Sequence, residues 1–182
     1  MTRINETDVD WSDLDRGETT FRRKQLSEAT DGEELGCSLY ELPPEKRSWP
    51  YHYHTANEEA LYVLAGTGTL RLGVGDAGSD NTDGDAGSDG DIEGDDPIET
   101  VPLETGDYAA FPANETGGHQ VVNDSDEPLR YLALSTMTEP DVTVYPEMDK
   151  FGVYVGSPPG GRDPRPLEGY YRIDDDVDYW EE

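Results

Sequence analysis

Apolar and polar residues alternate in short runs through the middle of the chain. Gly36 to Leu42, "GCSLYEL", alternates at a period of two and predicts a strand. Prolines at 43, 44 and 50 then break the pattern. His52 to Gly73 predicts two strands joined near "AGTG", since "ALYVL" and "TLRLGV" are rich in residues that suit a pleated surface. Beyond residue 97, "PIETVPL", "DYAAFP", "HQVVN" and "LRYLALST" read as further short strands separated by Gly, Pro, Asn and Asp. Their spacing predicts an all-β sandwich or barrel of antiparallel strands, and no helical period competes with it. Residues 1 to about 35 are polar, acidic and weakly patterned. From Thr136 onward the chain carries a proline-rich loop, "GSPPGGRDPRP", and an aromatic end, "YYRIDDDVDYW". Tyr170, Tyr171, Tyr179 and Trp180 are expected to pack across the barrel or against a second subunit, with walling a ligand pocket as the other reading.

Residues 75–97 differ in kind. The hexamer "GDAGSD" occurs twice, and the segment has no Lys, Arg or aromatic residue. Such a composition buries too little surface to order itself, so it predicts a flexible acidic loop expanded at a hairpin tip. Calcium binding is the sharper alternative, but the spacing matches neither an EF-hand loop nor a nonapeptide repeat.

Composition narrows the class. The chain has 182 residues, and 42 Asp and Glu against 13 Lys and Arg give a net charge of -29. Disorder is one account of such a charge, and a folded protein adapted to molar salt is the other. Strand-like segments persist between the acids, which favours the halophilic account. Nucleic acid is excluded as a partner, because phosphate contacts need clustered cations and the one basic run is "FRRK", Phe21 to Lys24, which reads as a solvated strand edge. The one cysteine, Cys37, cannot form an intrachain disulfide and is expected to be a small buried residue. The polar start "MTRINETDVDW" does not read as a signal peptide, and no apolar run approaches the roughly 20 residues of a membrane span. The expected compartment is the cytoplasm, with no membrane partner. Length predicts one domain over residues 1–182.

Three histidines carry the candidate chemistry. His52 and His54 stand two apart in "HYH", so on a strand both face the same way. Five residues on, Glu59 shares a strand face with Leu61 and Val63, whereas Glu58 shares the other with Tyr62 and Leu64. Strand phase therefore turns Glu59 inward. His119 shares its face with Val121 and Asn123. Three imidazoles and a carboxylate suit one divalent transition metal, Zn, Fe, Mn, Ni or Cu, with coordination positions left open for water or substrate. Arg71 alternates with Leu70 and Leu72 and is expected to point outward. Tyr62 and Tyr108 are expected on the outer face or in the core.

These residues resemble the two motifs of the cupin superfamily. The first, G-x5-H-x-H-x3,4-E-x6-G, is matched by His52, His54, Glu59 and Gly66, with Lys46 where the leading glycine would be. The second, G-x5-P-x-G-x2-H-x3-N, is matched by Gly106, Pro112, His119 and Asn123, with Asn114 replacing a glycine and two extra residues before His119. Asn114 is expected to take over that glycine's left-handed turn. The resemblance covers residues 36 to 135 and extends to stretches such as "VYPEMDKFGVYVGSPPGG", which look like an uncharacterised prokaryotic cupin subfamily. It implies a jelly-roll β-barrel, one metal (Fe, Mn, Ni or Zn) held by His52, His54, Glu59 and His119, and a homodimer.

Cupins include dioxygenases, isomerases, decarboxylases, storage proteins and sensors, so the fold alone leaves the reaction open. The residues favour a metalloenzyme acting on a small organic molecule, with the metal as Lewis acid or oxygen-activating centre. The alternative is a non-catalytic module that binds or senses a small ligand around a structural metal. Phase names no general base. A phosphorylated sugar is disfavoured, because no basic cluster lies near the motifs.

Overall fold

The period-two runs pair as antiparallel strands, because each exposes one face to water and buries the other. The computed structural model describes residues 3–73, 98–157 and 165–180. Within them run β1 (Ser12–Arg16), β2 (Thr19–Gln25), β3 (Gly36–Leu42), β4 (Lys46–Arg47), β5 (Tyr53–His54), β6 (Glu59–Ala65) and β7 (Thr67–Gly73). There follow β8 (Ile98–Glu104), β9 (Tyr108–Phe111), β10 (His119–Asn123), β11 (Leu129–Ser135), β12 (Asp141–Tyr145), β13 (Lys150–Val155) and β14 (Leu167–Arg172). The helical turns among the described residues are short 3-10 turns. None is long and apolar enough to cross a membrane.

Ten strands form one curled sheet, ordered β8-β7-β10-β4-β2-β3-β11-β6-β9, with β1 added to β2. Four more form a second sheet, β14-β13-β12-β5. The all-β jelly-roll class expected from the sequence is the one observed. Consecutive strands β6 and β7 do not pair with each other. The chain turns between them at Gly66, where φ is +88° and a Cβ would sit 2.5 Å from the Pro128 carbonyl oxygen, so only glycine fits. β6 then pairs with β11, and β7 with β10 and β8. The β7–β8 ladder runs to Gly73 opposite Ile98, which makes the flanks of the acidic repeat a hairpin. The repeat itself, and residues 158–164 of the proline-rich loop, lie outside the described residues.

The core fills the inside of the large sheet. On β6 Leu61 and Val63 are buried, while Tyr62 and Leu64 face out, as the strand phase predicts. Phe21, Tyr40, Leu70, Phe111, Val121 and Tyr131 complete much of the cluster. Asn123 is fully buried and staples a turn: its amide donates to the carbonyls of Leu42 and Glu127, at 2.9 Å each.

Four local expectations fail. Residues 1–35 hold a β-hairpin, β1 and β2, whose outer face is charged and so hides the period. "FRRK" lies inside β2, an interior strand between β1 and β3, and is not a sheet edge. Phe21 is 3% exposed in the core, while Lys24 lies over Trp11 and donates to the Glu6 carbonyl. Cys37 is half-buried rather than buried, and lines the internal cavity described below. Asn114 is extended (φ -171°) and caps the 3-10 turn Glu115–Gly117, accepting from the Thr116 amide at 2.8 Å. The tight position has moved to Gly117, where a Cβ would overlap the Pro112 carbonyl oxygen.

Candidate metal centre

The two sheets meet at the histidines. His52 and His119 exchange backbone hydrogen bonds, at 3.2 and 2.9 Å, in an isolated bridge. Two residues on, His54 pairs with Thr143 of β12. The "HYH" stretch thus stitches the second sheet onto the first. It turns both imidazoles into the gap between them, because residues i and i+2 share a face.

All three rings aim their Nε2 atoms at Glu59. The distances to Glu59 Oε2 are 3.9 Å from His52, 3.5 Å from His54 and 3.4 Å from His119. The ligating atoms of His52, Glu59 and His119 lie within 4.8 Å of one another. Each Nδ1 is already engaged on its far side. His52 donates to the Pro50 carbonyl at 2.8 Å, His119 to the Gly117 carbonyl at 2.9 Å, and His54 to the Asp141 carboxylate at 2.6 Å. Those oxygens can only accept, so the hydrogen sits on Nδ1 and the Nε2 lone pair faces the centre. Asp141 is itself fully buried, held by the Ala56 amide at 3.1 Å and by Thr143 Oγ1 at 3.4 Å. Phe111 stacks on His119 at 3.7 Å, and Tyr145 on His52 at 5.8 Å.

This donor set fits a divalent transition metal. Donors bound to one ion at about 2.1 Å lie about 3 to 4 Å apart, and the three Nε2 to Glu59 distances, 3.4 to 3.9 Å, fall in that range. The group whose ligating atoms all lie within 4.8 Å of one another is, however, His52, Glu59 and His119, without His54. The outward Nδ1 bonds also fix the tautomer that a metal requires. Electrostatics agree at His52 and Glu59, whereas His54 is shifted toward its protonated form until an ion displaces that proton. Burial, helped by the neighbouring His119 and His54, pushes His52 down to about 3, so it stays neutral. Burial would raise Glu59, but the three histidines outweigh it and hold the carboxyl down at about 2. Burial would also lower His54, yet Glu59 and Asp141 together raise it.

A cavity of about 280 Å³ opens over the centre. Of its second wall, Tyr170 was foreseen only as the lesser reading of the aromatic end, and the β12 and β13 residues were not. Asp141, Thr143 and Tyr145 share one face of β12, and Tyr154 and Tyr170 come from β13 and β14. Tyr154 donates to the Tyr170 hydroxyl at 2.8 Å. Burial pushes Tyr145 up to about 12 and raises Tyr154 as well, so both remain protonated donors. A usable signal was "DVTVY", in which polar residues alternate with valines as they do around the histidines. Arg23 and Arg165 also line the cavity, which supplies basic groups the sequence reading did not find there. Arg71 instead ion-pairs with Glu147, and Arg130 with Glu6. Of the aromatic tail, Tyr170 lines the cavity and Tyr171 packs on Phe151, while Tyr179 and Trp180 are 86% and 83% exposed. Tyr62 and Tyr108 face outward, opposite each other across β6 and β9.

No family model matches the sequence, and no curated protein does. Solved structures match the fold. One is a sugar phosphate isomerase of the cupin superfamily from Silicibacter pomeroyi: 23% identical, TM-score 0.66, spanning 95% of this chain and 94% of that one. The chain folds as a cupin. Two other cupin-fold matches carry different activities by name. A predicted oxalate decarboxylase from Thermotoga maritima is 17% identical over 75% of this chain and 100% of that one, TM-score 0.54. A polyketide cyclase from Streptomyces resistomycificus is 20% identical over 74% and 78%, TM-score 0.52.

Proposed function

We propose that this cupin is a metal-dependent enzyme acting on a small oxygenated molecule, with His52, His54, Glu59 and His119 as ligands of one divalent transition metal. The observation that carries it is the convergence of three Nε2 lone pairs on one Glu59 oxygen, with every Nδ1 held from behind. When bound, the ion supplies Lewis-acid polarisation of a carbonyl or hydroxyl oxygen. The chain's residues do the rest. Glu59 and the histidines hold the centre rigid, and Glu59 offsets one of the ion's two charges. Tyr145, stacked on His52 and protonated at neutral pH, donates to a developing oxyanion or delivers a proton beside it. The aromatic wall excludes water. Isomerisation of a hydroxycarbonyl compound suits this set best, because it needs no redox partner: a base takes the proton next to the polarised carbonyl and returns it to the neighbouring carbon, while Tyr145 supplies the donor to the oxygen. The isomerase named above, which matches most of both chains, supports that choice.

The test is metal content and proton exchange together. Untagged protein should hold about one equivalent of Fe, Mn, Ni or Zn by mass spectrometry, lost in His54→Ala. In deuterated water the loaded protein should exchange the proton next to the carbonyl of a short hydroxycarbonyl substrate, followed by NMR. Metal without exchange across a panel of such compounds would favour a binding module instead. A protein that takes up no metal overturns the reading. We also propose a homodimer through the outer face of β6 and β9, where Tyr62, Leu64 and Tyr108 are exposed. Light scattering that finds only monomer in molar KCl removes that part.

A further inference from the structure

Strand β2 carries three consecutive cations with different fates. Arg22 and Lys24 lie on the face away from the cavity, Arg22 exposed and Lys24 buried, and both are matched. Arg22 pairs with Glu41 at 2.6 Å and lies over Trp11, and Lys24 donates to the Glu6 carbonyl at 2.6 Å. Arg23 lies between them, on the same strand face as Phe21, and so points into the barrel. It is half-buried on the cavity wall. Among the described residues its guanidinium makes no ion pair or hydrogen bond. The guanidinium carbon lies over the ring of Trp49, 5.8 Å from its centroid. Trp49 is in turn fixed by a 3.1 Å bond to the Tyr40 hydroxyl and an edge contact with Phe21. A planar fork of five N–H donors is therefore held on a rigid aromatic base with no protein acceptor.

Charge makes this unusual. The chain carries a net -29, yet among the described residues no carboxylate pairs with Arg23. Among the described residues lining the cavity, the ionic groups besides Arg23 are Arg165, which pairs with Glu168 at 3.1 Å, and Glu59, which the three histidines surround. With Arg165 matched to Glu168, one arginine stands against one committed glutamate, and a divalent ion at the histidines would make the cavity positive inside an acidic protein.

We infer that Arg23 is the anchor for an anionic oxygen group, a carboxylate or a phosphate, on the substrate. This rests on the proposed metal site only for the substrate's other end. A guanidinium binds either group through paired N–H···O bonds, and partial burial strengthens them. The cavity of about 280 Å³ lies at the low end for ligand pockets, so the anion belongs to a small molecule.

Calorimetric titration of inorganic phosphate and of acetate, at fixed ionic strength, tests this in metal-loaded and chelator-treated protein. Phosphate or acetate should bind the wild type, and whichever binds more tightly identifies the anion's class. Arg23→Met should weaken that binding at least tenfold, Arg23→Lys should restore part of it, and Arg22→Met should leave it unchanged. Arg23→Lys also covers the case in which Arg23→Met fails to fold. Equal affinity in Arg23→Lys, Arg23→Met and wild type overturns the inference, as does a wild type that binds neither anion. A protein without metal that still binds phosphate through Arg23 sinks the metalloenzyme reading and leaves this one standing. A metal-loaded protein with no Arg23-dependent binding does the reverse.

Discussion

The cavity has two walls built on different plans. The wall of β5, β6 and β10 presents His52, His54, Glu59 and His119, residue types rare in a barrel interior. The facing wall of β12, β13 and β14 presents tyrosines and one buried aspartate, types that fill many cores. The first wall concentrates charge that an ion must complete. The second supplies neutral donors and excludes water. The backbone pairing of β5 with β12 and the stacking of Tyr145 on His52 join them, and at the centre Asp141 and Thr143 of the second wall hold His54 of the first, at 2.6 and 3.1 Å. The difference teaches that the chemistry of a centre and its control sit on separate strands, coupled where β5 pairs with β12.

The harshest way to break the comparison is to remove a ligand from the first wall. His119→Ala should abolish metal binding, leaving less than a tenth of an equivalent by mass spectrometry. Phe111 also loses its stacking partner there. The second wall should behave oppositely. Tyr145→Phe should keep its metal and fold, yet lower turnover about 10²-fold, the usual scale for a positioned proton donor. Metal loss in Tyr145→Phe, or unchanged turnover, would erase the division of labour. Asp141→Asn tests the coupling bond and should act on the first wall from the second. It keeps the shape but removes the charge that orients His54, so metal affinity should fall about 10- to 100-fold. A competition titration with a metal indicator reads this, and unchanged affinity would mean that Thr143, 3.1 Å from the same Nδ1, and the backbone suffice to position the ring.

Legibility in the sequence follows the same division. His52 and His54 were readable because i and i+2 share a strand face, and Glu59 was chosen over Glu58 because Leu61 and Val63 fix the phase of β6. Arg23, Asp141 and the tyrosines of β12 and β13 were not. Arg23 sits in a triplet whose two neighbours lie on the opposite face of β2, Arg22 exposed and Lys24 buried under Trp11, and sequence shows three cations without showing which one turns toward the cavity. Asp141 acts on a histidine 87 residues away, a distance that only the pairing of β12 with β5 closes. The hairpin β1–β2 was missed because charged residues occupy its outer face and Phe21 is its one large fully buried side chain. Local alternation shows strands and their faces, whereas sheet order and cross-sheet contacts are set by long-range closure.

The mildest test is acid applied to the metal-free protein, where the walls again should differ. Tyr145 is pushed up to about 12, so the tyrosine wall is silent in acid. His52 is held at about 3 against an ordinary value near 6.5, first by burial and then by His119 and His54. Between those two pH values the unfolded chain binds a proton at this position and the folded chain does not. Stability from His52 is therefore full above 6.5 and is lost as pH falls toward 3, by about 1.4 kcal/mol per pH unit. Glu59, held at about 2 against an ordinary 4.5, adds a loss of the same sign only below 4.5. His54 is raised, so its contribution is complete below its ordinary value and disappears only as pH rises through its folded one. The window from 6.5 to 4.5 thus isolates His52 within the site. Urea melts of chelator-treated protein across that window should show a slope that His52→Gln reduces by about one proton's worth. If the two proteins lose stability in parallel, His52 is not held neutral by its burial, and the first wall lacks the poised lone pair on which the centre depends.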